Sequence, residues 1–227
     1  MCGRFSLTSP IEAMRHVFGF DELPNLGARY NIAPTQDVTV IRSDTDGVRE
    51  LVMMRWGLVP SWAKEKGNKA PLINARGETV AEKPAFRSAF AKRRCLIPAD
   101  GFYEWKASGT GTKQPYRIAL PNNELFAFAG IWELWQSSEG ASIESCAIIT
   151  TVASPQITSI HHRMPVILTA ETCDAWLVER NQDLIVSYDR DIRAYPVGTA
   201  VNKVVNDEPA LWDEVKLDRK GEQMKLF

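Results

Sequence analysis

From position 37 to 43 the chain reads DVTVIRS, and from 49 to 56 RELVMMRW, two runs in which apolar and polar residues alternate. A period of two fits a strand with one buried face. The Asp44–Gly47 stretch between them has turn chemistry, so the pair predicts a β-hairpin. RCLIPA (94–99), GFYEWKA (101–107), QPYRIAL (114–120), LFAFAGIWEL (125–134), ESCAIITTVA (144–153) and RMPVILT (163–169) predict further strands, punctuated by SGTGT, PNNE and SSEGA. Helical signals are fewer. Ser9-Pro10-Ile11-Glu12 has a capping-box pattern with Pro at the first helical position, which opens a helix through about Phe18. KPAFRSAFAKR (83–93) sets Phe86 and Phe90 four apart on one helical face. ETCDAWLVER (171–180) predicts a helix entered from Thr169, and the tail from about Asn181 mixes short helices with a strand. Strands without regular βαβ alternation point to an α+β fold. No repeat, low-complexity tract or long linker divides the chain, so residues 1–227 form one expected domain.

Composition narrows the function more by exclusion than by suggestion. The 227 residues suffice for one sizeable core, and 44% hydrophobic with 24% charged residues is ordinary for a globular chain. With a net charge of −1 there is no general basic field, so any nucleic-acid contact must come from a local cluster. Cys2, Cys95, Cys146 and Cys173 show no CxxC spacing, and two of the three histidines are adjacent, which argues against a zinc site. No cofactor is expected. No apolar run approaches the roughly 20 residues of a membrane span, and the N-terminus lacks a signal peptide's basic and apolar regions. The expectation is a cytoplasmic protein with reduced thiols and no membrane partner.

Several polar residues stand where a purely structural chain has little use for them. The sequence opens MCGRF. Cytosolic processing removes an initiator Met ahead of a small residue, which would leave Cys2 with a free α-amine and a thiol on adjacent carbons. In PLINARGET (71–79) Asn74 and Arg76 flank Ala75 and share a face if the segment is extended; the plainer alternative is a capping Asn and a solvated Arg. In PADGFYEWK (98–106) Glu104 lies between Tyr103 and Trp105. Walled by aromatics, a carboxyl is desolvated and its pKa rises toward neutrality, where it suits proton transfer. Alternation instead groups Phe102, Glu104 and Lys106 on one face, which could equally be the wet one. SIHHRMP (159–165) carries two neighbouring histidines, of which at most one would enter a site. His16 belongs to the first helix and is assigned to structure. Trp62 lies in a Lys-rich loop, VPSWAKEKGNK, as a base-stacking aromatic would, although most tryptophans are core. Lys92-Arg93-Arg94 reads as a solvated helix end.

MCGRF, RYNIAP (29–34), WGLVPSW (56–62), INARGET (73–79), CLIPADGFYEW (95–105) and IHHRMP (160–165) occur in this order and together resemble the SOS-response-associated peptidase family. Its members shield abasic sites in single-stranded DNA. The resemblance implies antiparallel, barrel-like β-sheets with short surrounding helices, within the α+β class. It also implies a covalent bond between the N-terminal cysteine and the lesion's aldehyde. Carried over by position, Cys2 is the nucleophile, Asn74 and Glu104 flank it, and His161 is the active-site histidine. Arg4, Arg76 and Arg163 match positions that hold DNA phosphates; Asn31, Pro34, Trp62 and Trp105 match parts of the DNA-facing surface. Where some relatives carry a second tryptophan, this chain has Ala63, and Pro84 replaces a further arginine.

The implied chemistry follows from the residue type. A terminal amine, with a reference pKa of about 7.7–8.0, is substantially neutral at physiological pH and forms a Schiff base with an aldehyde. The adjacent thiol then closes a five-membered thiazolidine on the same carbon, which a lysine cannot do. The expected partner is single-stranded DNA carrying abasic sites, and the expected state is a monomer. Two rivals remain: an N-terminal-nucleophile hydrolase, since glutamine amidotransferases also begin Cys-Gly, and a non-covalent reader of modified bases. The family name also implies a peptidase acting on Met1.

Overall fold

The computed structural model describes residues 2–44, 46–63, 70–107 and 111–217. In chain order the first elements are β1 (Phe5–Leu7), α1 (Ile11–Phe18), β2 (Arg29–Ile32), β3 (Asp37–Ser43), β4 (Arg49–Trp56) and β5 (Asn74–Arg76). There follow α2 (Arg87–Lys92), β6 (Arg94–Ala99), β7 (Gly101–Ala107), β8 (Lys113–Ala119), β9 (Phe126–Gln136) and β10 (Ser142–Val152). The last are β11 (Arg163–Pro165), β12 (Ile167–Leu168), α3 (Cys173–Leu177) and β13 (Arg193–Pro196). Several 3-10 turns link them, including one at Thr199–Asn202.

β3 and β4 form the predicted hairpin, in register from Asp37 opposite Arg55 to Ser43 opposite Arg49. That hairpin continues through β6 and β9 to β10, and β10 returns to β4, so five strands close into a barrel. Most pairings are antiparallel, as expected, but β10 meets β4 and β5 in parallel. The reason is a detour in the chain. After β4 it turns out at Gly57, whose φ is +135°, and re-enters as β5 farther along the same strand. Only glycine suits this corner, since a Cβ there would stand 2.9 Å from Pro71 Cβ.

The second sheet, in the order β13-β8-β7-β1-β2, lies against the barrel. Its junction with the barrel is aromatic: Phe5 packs edge-on against Trp56 (5.1 Å) and Phe128 (5.5 Å), and Phe102 packs against Phe128. The opposite face carries a smaller core of Tyr103, Tyr195, Val197, Val201 and Leu211. Alternation along β7 therefore sends Phe102 toward the barrel and Tyr103 toward the C-terminal segment. With both faces covered, even the polar residues of this strand are drawn inside.

Helical details differ from expectation for identifiable reasons. Pro10 is the N-cap of α1 rather than its first helical residue, with no side-chain cap, so the Ser9–Glu12 box does not form. The helix ends on Gly19 at φ 68°. α2 is shorter than the 83–93 pattern suggested: Pro84 has no N–H to donate, and the backbone before Arg87 winds as turns closed on Lys83. RMPVILT divides into β11 on β10 and β12 on β9, with Val166 bonded to both partners. Thr169 does cap the next helix, which begins as a 3-10 turn before α3. No helix among the described residues is long and apolar enough to cross a membrane.

Candidate active site

The N-terminal arm is a strand extension. Phe5 lies opposite Phe102 and Ser6 opposite Gly101. The Tyr103 N–H donates to Arg4 O at 3.0 Å, and continuing this register sets Gly3 beside Glu104. Buried Asp100 anchors the arm from below, accepting from Ser6 Oγ (2.6 Å), Thr8 N (2.5 Å) and Thr8 Oγ1 (2.8 Å). Strand pairing thus brings the second residue of the chain to the carboxyl on β7.

Cys2 is fully buried, and its thiol donates to Arg4 O at 3.7 Å. Asn74, at the start of β5, donates from Nδ2 to the Cys2 carbonyl at 2.8 Å. Its own Oδ1 is buried and accepts no hydrogen bond from the described residues. His161 follows the turn after β10. Its Nδ1 lies 3.0 Å from the Arg163 N–H and 3.1 Å from the Arg163 carbonyl oxygen, so it accepts from the first in one tautomer and donates to the second in the other. The same Nδ1 lies 4.0 Å from Glu104 Oε1, and the ring stacks on His162. The structure therefore brings Cys2, Asn74, Glu104 and His161 together from four separate stretches of sequence.

Burial sets the protonation of this cluster. It pushes the Glu104 carboxyl above its ordinary range, against the opposing positive charge of the amino terminus. The Cys2 thiol is driven upward by burial and then by the Glu104 charge. The His161 imidazole is driven downward, again chiefly by burial. The site consequently favours a protonated thiol, a protonated or readily protonated acid and a neutral imidazole. It is poised for proton exchange rather than for holding a standing charge.

The residues matched to the DNA-facing surface divide into two groups. Trp62 is 66% exposed and donates from Nε1 to Pro84 O at 3.4 Å. Arg76 is exposed on β5 opposite Thr150, and Pro34 is half-buried. The others are engaged internally. Arg163, in β11, forms a two-pronged ion pair with Glu78 and donates from Nη2 to Thr150 O at 2.7 Å. That bond holds Glu78 below the usual carboxylate range. Arg4 and buried Asn31 bond to each other and to the segment that follows β13, and Trp105 Nε1 donates to Asn202 Oδ1 at 2.7 Å. Glu78 and residues 201–207 are the participants that sequence reasoning missed. Glu78 lies inside the INARGET motif without a distinguishing pattern, and the 201–207 stretch carries no motif at all.

A family model described as SOS response associated peptidase (SRAP) matches residues 1–204. The chain belongs to the SRAP family. Among similar proteins, abasic site processing protein YoqW of Bacillus subtilis is 43% identical over 221 residues, spanning 93% of this chain and 98% of the relative. Abasic site processing protein HMCES of Gallus gallus is 35% identical over 199 residues, spanning 74% of this chain and 59% of the relative. A solved protein from Bacteroides thetaiotaomicron superimposes with a TM-score of 0.81 at 27% identity, covering 95% of this chain and all of the other. In this SRAP chain the four clustered side chains all fall within the matched span.

Proposed function

We propose that this chain, once Met1 is removed, captures abasic sites in single-stranded DNA by closing a thiazolidine between Cys2 and the lesion's aldehyde. The observation that carries this reading is the convergence of Asn74, Glu104 and His161 on the buried N-terminal cysteine. Relatives named as abasic site processing proteins, similar over nearly the whole chain, support the substrate class.

The Cys2 amine attacks the open aldehyde, and one water leaves as the imine forms. The sulfur then adds to the carbon of the protonated imine; the ring nitrogen keeps its remaining amine hydrogen, and the thiol proton passes to the carboxylate that supplied the proton of the departing water. A thiol held protonated by burial suits this order, because the imine already stands next to it. An N-terminal-nucleophile hydrolase would use the same thiol with the freed α-amine as its base, and the glutamine assay below separates the two. Glu104 donates a proton to the departing water and, as carboxylate, receives the thiol proton. As the sugar ring opens, neutral His161 gives a proton to the ring oxygen and recovers the one that the hydroxyl loses as the aldehyde forms, so its own charge is unchanged at the end of the step. Asn74 holds the Cys2 carbonyl through Nδ2, and in this reading its Oδ1, which accepts no hydrogen bond from the described residues, takes one from the freed α-amine.

Unpaired DNA suits the site because its lesion swings out without breaking a duplex and flanking bases stack on exposed aromatics such as Trp62. Arg76 offers an exposed cation to a phosphate, so binding weakens with salt. Replacing Cys2 by Ala is expected to abolish the denaturant-resistant adduct with an abasic oligonucleotide on a gel. An adduct that persists in that variant moves the chemistry elsewhere, and ammonia release from glutamine by the processed protein would favour the hydrolase.

A further inference from the structure

Residues 199–207 have no part in the chemistry above, yet they touch both strands that carry it. Arg4 Nη1 donates to Val201 O (2.7 Å) and to Asn31 Oδ1 (2.7 Å), and Nη2 donates to Asn202 O (3.2 Å). Asn31 is only 1% exposed and sends Nδ2 to the carbonyls of Val201 (3.2 Å), Lys203 (3.1 Å) and Asn206 (2.7 Å). Asp207 Oδ1 accepts the N–H groups of Tyr30 and Asn31. On the neighbouring strand, Trp105 donates to Asn202 Oδ1. A single segment thus grips the residue two places after Cys2 and the residue next to Glu104.

We infer that residues 199–207 form a clasp that sets the N-terminal nucleophile against Glu104, with Arg4 and Asn31 as positioning residues rather than phosphate ligands. A phosphate recruiting Arg4 would strip the donor from the buried Asn31 Oδ1, at a cost of about 1–3 kcal/mol for an unsatisfied buried group, while Val201 O would keep its Asn31 donor and Asn202 O would turn to solvent. The clasp also meets a mechanical need. β1 has three residues, and a chain end beyond so short a strand frays unless something ties it down. Residue 4 is tied twice, by its backbone to Tyr103 and by its guanidinium to the clasp.

The proposal rests on the thiazolidine reading for its kinetic consequence, but its geometry is tested without DNA. Arg4→Gln is compared with the processed wild type by hydrogen exchange. Exchange in residues 2–7 is expected to rise by about tenfold or more while β6 stays protected. With abasic single-stranded DNA, the crosslinking rate at saturation should fall by about tenfold to a hundredfold, as small misplacements of reacting groups do, with the half-saturating concentration little changed. Binding of an oligonucleotide bearing tetrahydrofuran, an abasic analogue without an aldehyde, should keep its salt dependence. Unchanged arm exchange overturns the clasp. So does a salt slope shallower by about 0.7 with an unchanged maximal rate, the mark of one lost phosphate contact. Should Arg4→Gln not fold, Asn202→Ala removes only the Trp105 acceptor and is read the same way at residues 101–107. If wild type forms no adduct but the arm loosens in Arg4→Gln, the clasp stands and the abasic-site reading fails.

Discussion

Glu104 shows what burying a single carboxyl does to stability. Its aromatic neighbours in sequence do not bury it; the register of β7 does, by sending it to the same side as Phe102, where the barrel covers that face. With the folded pKa raised, the carboxyl is indifferent to folding below its ordinary range near 4.3, where both states are protonated. As pH climbs through the folded pKa, the fold bears a growing cost of ionising a buried group. Glu104→Gln should therefore raise the melting temperature at pH 8 by a few degrees, at about 2–4 °C per kcal/mol for a chain of this size, and leave it unchanged near pH 4. The same variant should slow crosslink formation or reversal. A melting temperature lowered at both pH values would mean that the carboxyl holds the fold together. Sequence alone left Glu104 between a wet face and a dry one, because alternation fixes which residues share a face but not what covers it.

At the scale of elements, long alternating strands were legible and short ones were not. β3, β4, β6 and β7 have the bounds that periodicity gave. β1, β2 and β5 hold three or four residues each, too few for a period, and they are the strands that deliver Cys2, Asn31 and Asn74. The parallel joint of β10 with β4 and β5 has no local signature, since it depends on a corner at Gly57 and on pairing with strands distant in sequence, Cys146 with Trp56 and Ile148 with Asn74. Gly57→Ala places a side chain in a conformation that costs about 1–3 kcal/mol and against Pro71, so a clear drop in melting temperature is expected by calorimetry. Because β5 follows that corner, crosslinking should slow as well. A variant with wild-type stability would mean the corner relaxes and that β5 is placed by β10 alone.

For the molecule as a whole, the fold class and the residues of the candidate site were readable because the motifs lie in order along one chain, whereas their convergence is a property of the two-sheet arrangement. Asn74 comes from β5, paired to barrel strand β10, and His161 from the turn after β10; the arm ahead of β1 and strand β7 supply Cys2 and Glu104, and the aromatic seam through Phe5 holds the second sheet against the barrel. Residues 199–207 escaped notice because much of their contribution is made by backbone carbonyls, which any sequence could present, and the side-chain acceptors Asn202 and Asp207 stand in no motif. The proposed function turns on a processed Cys2 joining an abasic site through both its amine and its thiol. The decisive measurement is the intact mass of the protein before and after incubation with a single-stranded oligonucleotide carrying one abasic site. The expected result is a protein lacking Met1 that gains the mass of the oligonucleotide less one water. A protein lacking Met1 that gains nothing would contradict it.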